Sequence, residues 1–164
     1  KEILDLPPRL TGLGACLTAA ANLVDAAAEE SAAATAEVDA RERAELSEAL
    51  GMGTKGARPR NVNAALKELE EQQKARAKRL QRDALDRVLT ELTGYYRDVL
   101  SVQTRSRAPL INAELERDIA TLAARGTSEA TLSRLDAILE CRTALETNVA
   151  PLLALEALLI RLQV

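Results

Sequence analysis

The chain has two cysteines, Cys16 and Cys141, and no histidine. An ordinary zinc site takes four Cys, His or carboxylate ligands, so two thiols 125 positions apart do not make one. They are expected to be reduced, small, helix-face residues, with no cysteine framework to support a disulfide between them. Without histidine there is no nucleophile–imidazole pair. Carboxylates are abundant, but they stand three or four residues from Lys or Arg, the spacing of an ion-paired helix surface rather than of acid–base chemistry. GMGTKG (Gly51 to Gly56) has the glycines of a phosphate loop without its G-x-x-x-x-G-K-[ST] spacing, and no strand precedes it. It is expected to be a hairpin tip. No cofactor, metal or small-molecule substrate is indicated, and nothing marks an enzyme.

Two stretches remain as candidate binding surfaces. KARAKRLQR (Lys74 to Arg82) is the densest basic patch, and Lys74, Lys78 and Arg82 share one helix face. With Arg58 and Arg60 they are the candidate nucleic-acid contact, which would act on phosphates and depend on salt. The competing expectation is pairing with acidic residues of the first helix. It is preferred, because no aromatic residues interleave with the charges. The second stretch is PLLALEALLIRL (Pro151 to Leu162). On a helical wheel Leu152, Leu155, Leu158, Leu159 and Leu162 form one arc, the expected core face. Leu153 and Ile160 form a second patch beyond Glu156, which suits a helix packed on both sides. Arg142 falls inside the apolar arc of the preceding helix. A pair between Arg142 and Glu156 is one expectation; both side chains reaching water is the other.

The elements that would carry these residues are long helices. The 164 residues include no Trp or Phe and two Tyr, with only seven Gly and five Pro as punctuation. One helix is expected from about Arg9 to Leu50, with Leu10, Leu13, Leu17, Ala20, Ala21 and Val24 as its first stripe. After Gly51 to Arg60, Asn61 would cap a second, ending near Gln103. Its second half carries Leu85, Val88, Leu89, Leu92, Tyr95, Tyr96 and Val99 as one stripe. Gly94 falls within it and suits a close helix contact. A third helix covers about 112–124, with Leu115, Ile119 and Leu122 on one side and Gly126 as its stop. Thr127 or Ser128 caps a fourth with Leu132, Leu135, Ile138, Leu139 and Leu145. Asn148 caps a fifth, placing Pro151 at its third position.

Each of the first two helices would be roughly 60 Å long. An antiparallel hairpin is the simplest arrangement, and charge supports it. Residues 1–50 carry 4 Lys/Arg against 10 Asp/Glu, while residues 51–107 carry 13 against 7. Ala28, Ala32, Ala36 and Ala40 would let the axes approach. The expected fold is all-α: a five-helix bundle (1–27 and 83–164) with a long antiparallel two-helix arm (28–82) whose tip is 51–60. A self-associating coiled coil is a rival, but Gln73, Arg76 and Asp83 break its heptads. A nucleic-acid-binding helical module is another. No apolar run approaches the roughly 20 residues of a membrane span. KEILDLPPRL lacks the apolar core of a signal peptide. With no initiator Met, the sequence is expected to be part of a longer chain.

LDAILECRTALETNVAPLLALEALLIRL resembles the last two helices of the bacterial clamp-loader collar, the delta-prime subunits of DNA polymerase III in particular. The spacing from Arg142 through Leu145 and Asn148 to LALEALLIRL carries the likeness. ALDRVLTELTGYYRDVL resembles an earlier collar helix. LPPRLTGLGACLTAAANLVDAA resembles the junction between ATPase module and collar, and QQKARAKRLQRDALDRVLTEL is most similar to the actinobacterial form. The resemblance implies a cytoplasmic, non-catalytic assembly part. Its partners would be other clamp-loader subunits, joined through their collars in a heteropentamer that loads a ring-shaped clamp on DNA. Leu153, Ile160, Glu156 and Arg142 are the expected subunit interface. No Walker motif or zinc-binding cysteine cluster of the ATPase module is found here, and the charged stretch 28–82 exceeds a compact collar.

Overall fold

The computed structural model describes residues 2–51, 62–147 and 149–163. Arg58, Arg60, the caps expected at Asn61 and Asn148, and all of the expected tip except Gly51 lie outside them. The described residues form five α-helices: α1 Leu13–Ala49, α2 Val62–Gln103, α3 Glu116–Arg125, α4 Ser128–Glu146 and α5 Pro151–Arg161. Short 3-10 turns precede α1 and α3, and no strand occurs among the described residues. The fold is all-α, as expected. It divides into two units, Ala26–Ala84 and the combination of Lys1–Asp25 with Leu85–Val164. Both α1 and α2 contribute to each unit.

In the larger unit the second half of α2 is the central element. Leu85, Leu89, Leu92, Tyr95, Tyr96 and Val99 are buried, following the expected stripe. The two tyrosine rings meet edge to face, with centroids 5.7 Å apart. Burial pushes the Tyr95 phenol up to about 12 and raises that of Tyr96 too. Buried in the same unit are Ile119 and Leu122 of α3, Ile138 and Leu145 of α4, Leu155, Leu158 and Leu159 of α5, and Leu162 at its C-cap. From α1 the buried residues are Cys16 and Ala20, whereas Leu13 and Leu17 of the expected stripe are exposed. The face that packs is therefore the small one.

The end of α2 follows from backbone bookkeeping. Arg105 N–H bonds to Val102 O and Ser106 N–H to Ser101 O, with Arg105 at φ 51°. This is a Schellman cap with arginine at the left-handed position usually taken by glycine. Asp98, buried about two turns before Arg105, holds the following connector. Its carboxylate accepts from the backbone N–H groups of Ile111 (3.0 Å) and Asn112 (2.8 Å), the Asn112 amide and Arg97. Burial alone would raise its pKa, but these four donors prevail and hold it below the carboxylate range. Gln103 donates to Ala123 O and Gly126 O, satisfying carbonyls at the end of α3. Gly94 faces Asn112 and Ile111 of the connector at 3.7–3.9 Å from where a Cβ would stand, an ordinary van der Waals distance.

The smaller unit pairs the second part of α1 with the first part of α2. Its inner face differs from the expected one. Ala27, Ser31 and Thr35 are buried, while Ala28, Ala32, Ala36 and Ala40 are exposed. The hydroxyl of Ser31 donates to Ala77 O across the pair at 2.8 Å, so small polar residues make the close approach. Further along, the seam is polar. Buried Gln73 donates from Nε2 to Asp39 O and Glu42, and its Oε1 accepts from Arg43 Nε at 2.9 Å. Arg76 bonds both Asp39 and Glu42. Gln73 and Arg76, two of the three residues that interrupt the heptad pattern, are thus the ones that lock this pair. Hydrogen bonds from Arg76, then Gln73, lower the Glu42 carboxyl to about 2.

Candidate subunit interface

Helices α4 and α5 form an antiparallel hairpin. Thr127 caps α4 by accepting from Ala130 N–H at 3.2 Å. Pro151 is the first residue of α5, not the third, with Ala150 as its cap. There the missing N–H costs nothing and the ring's φ suits the helix. The pairing is fixed at three levels: the Cys141 thiol donates to Ala154 O, Arg134 donates to Gln163 O at 3.0 Å, and Arg161 pairs with Glu140. Cys16 donates to Leu159 O at 3.3 Å, tying α5 to α1. Both cysteines are buried and free, and burial pushes the Cys141 thiol up to about 11.

With its inner face fixed, α5 turns a second apolar face outward. Leu153 is 61% exposed and Ile160 40%. They stand seven residues apart on one side of the helix, opposite the buried Leu155, Leu158 and Leu162. Leu152, expected in the core, is exposed beside them. Glu156 is half-buried between Leu152 and Ile160 on the wheel and makes no ion pair among the described residues. The expected pair with Arg142 is not formed. Arg142 instead grips Asp86 of α2 with both arms of its guanidinium, at 2.7 and 3.0 Å. That bond raises its pKa. Arg142 lies on the side of α4 that meets α2, while Cys141 and Glu140 serve the side that meets α5.

That orientation also moves two leucines out of the core. Leu132 and Leu139, expected in the α4 stripe, are 49% and 52% exposed; Ile138 and Leu145 of that stripe are buried as expected, joined by Thr131, Ala137 and Cys141. The i, i+7 spacing of Leu132 and Leu139 was the available signal for a second face. Of the exposed large apolar residues, Leu132, Leu139, Val149, Leu152, Leu153 and Ile160 all belong to this hairpin and its connection.

The basic candidates lie in the smaller unit. Lys74, Lys78 and Arg82 are exposed and make no ion pair among the described residues. Arg76, not they, pairs with Asp39 and Glu42 of α1, so the expected pairing of the basic patch with the first helix is made at Arg76 and not along the ridge. Lys67 pairs within α2 with Glu71, and Arg41 within α1 with Glu45. Among the described residues no group of three or more Cys, Asp or Glu is placed to hold a metal ion. No helix among them is long and apolar enough to cross a membrane.

An all-α fold whose exposed apolar residues concentrate on its terminal hairpin is the form of a helical assembly domain. The family model described as DNA polymerase III, delta subunit, C terminal, matches residues 41–163. The chain belongs to that family of clamp-loader subunits. Neither the curated proteins nor the solved structures contain a match to it.

Proposed function

We propose that this chain is the collar part of a delta-prime-type, actinobacterial-like clamp-loader subunit, and that it acts by assembly rather than catalysis. Its partners are other clamp-loader subunits in a cytoplasmic heteropentamer that loads the sliding clamp. Family membership supports the clamp-loader role. The observation that carries the assembly role is the outward pair Leu153 and Ile160 on a helix whose other side is already buried. Covering both, about one side chain's worth of exposed surface, would contribute on the order of 1.5–3 kcal/mol, the range for one fully buried aliphatic side chain. Leu152 and Glu156 form the flank of this contact, and Arg142 holds α4 in place through Asp86.

The test is the double variant Leu153→Asp/Ile160→Asp, run with partner clamp-loader subunits on a sizing column. Weaker complex formation with unchanged helix content is expected. Full assembly of the variant would overturn this interface.

A further inference from the structure

The basic ridge of α2 makes no ion pair among the described residues. Its position is set by the seam it opposes. Gln73, Arg76 and Leu80 turn toward α1, and Lys78 stands about half a turn round from them, with Lys74 and Arg82 to either side. The three cations rise about 6 Å apart along one line, at 1.5 Å per residue. Arg79 is exposed on the flank of the same face.

Two facts leave most of this charge uncompensated beyond Lys74. Asp39 and Glu42, the nearest acidic groups offered across the seam, are held by Arg76. Glu70 and Glu71 stand one turn before Lys74 and bound the ridge at that end, and Glu71 is paired with Lys67. Between Lys74 and Arg82 the outer face carries cations, Ala75 and half-buried Gln81, with no acid. Free ammonium and guanidinium groups in a row suit a row of phosphates. No aromatic side chain stands among them to stack on bases, so the surface fits the outside of a duplex rather than an unpaired strand.

We propose that Lys74, Lys78 and Arg82 form a sequence-independent binding surface for the phosphate backbone of duplex nucleic acid. Leu153 and Ile160 take no part in it, so assembly and duplex binding fail independently.

The experiment is fluorescence anisotropy of a labelled random-sequence DNA duplex titrated with the full chain at several salt concentrations. Wild type and Lys74→Ala/Lys78→Ala/Arg82→Ala are compared, with helix content checked by circular dichroism. Three lost phosphate contacts should make the slope of log affinity against log salt shallower by about 3, and the salt-induced loss between about 50 and 200 mM about 40-fold smaller. Lys74→Arg/Lys78→Arg should bind as wild type does, which separates charge from folding. No duplex binding by wild type would overturn the proposal. So would an unchanged slope in the alanine variant, or binding of polyglutamate in place of duplex, which would point to an acidic protein.

Discussion

Arg142 and Asp86 join α4 to α2 through two hydrogen bonds of 2.7 and 3.0 Å, a pair that agrees with the side of α4 buried by Ile138 and Leu145. With Arg142 turned toward α2, Leu132 and Leu139 face outward and Glu156 is left to the surface of α5. Both partners are partly exposed, so the pair is worth less than a buried one. A double-mutant cycle with Arg142→Ala and Asp86→Ala, followed by urea unfolding, should give a coupling of about 0.5–1 kcal/mol. The same cycle on Arg142 and Glu156 should give none. Coupling to Glu156 instead would mean that α4 is rotated from the orientation described.

The seam of the smaller unit should respond to acid. Glu42 is held at about 2, against 4.5 for an ordinary glutamate, by Arg76 and Gln73. A carboxyl with a depressed folded-state pKa adds stability above its unfolded pKa. That stability is lost as pH falls from about 4.5 to about 2. Thermal melts across that window should show a decline for wild type that is smaller for Glu42→Gln. Identical declines would place the acid sensitivity elsewhere.

At Gly94 the environment admits a methyl group, since the nearest atoms would be 3.7 Å away. Gly94→Ala should therefore stabilise the protein by up to about 1 kcal/mol, the helix-propensity difference between the two residues. A loss of stability would mean that the connector at Ile111 and Asn112 packs closer than described.

Arg105 is the mirror case. It holds a left-handed conformation at φ 51°, which costs an L-residue about 1–2 kcal/mol and glycine almost nothing. Arg105→Gly should raise the urea midpoint, with a net gain of about 0.5–1 kcal/mol after the greater chain entropy of unfolded glycine.

Much of this fold was legible where one helix face is clearly richer than the others. The second half of α2 is such a case: its stripe from Leu85 to Val99 leaves little choice. The glycine at 126 and the cap at Thr127 were legible for local reasons. Helices α1 and α4 were harder, for opposite physical causes. In α1 alanine surrounds the axis, so no wheel distinguishes Ala28, Ala32, Ala36 and Ala40 from Ala27, Ser31 and Thr35. The decision came from Ser31 reaching Ala77 O. In α4 there are more leucines than one face can bury, and the partner of Arg142 on the inward side, Asp86, is 56 positions away and invisible to a local pattern. Gln73 and Arg76 read as interruptions because a pattern of apolar spacing cannot register a seam locked by hydrogen bonds.

The most direct test of the assembly role is sedimentation velocity of this chain alone and then mixed with the collar domains of candidate clamp-loader partners. A chain that sediments as a monomer and moves into a faster complex with those partners, but not after Leu153→Asp/Ile160→Asp, is the predicted result. A stable homo-oligomer that ignores them would contradict it and favour a self-associating structural coiled coil.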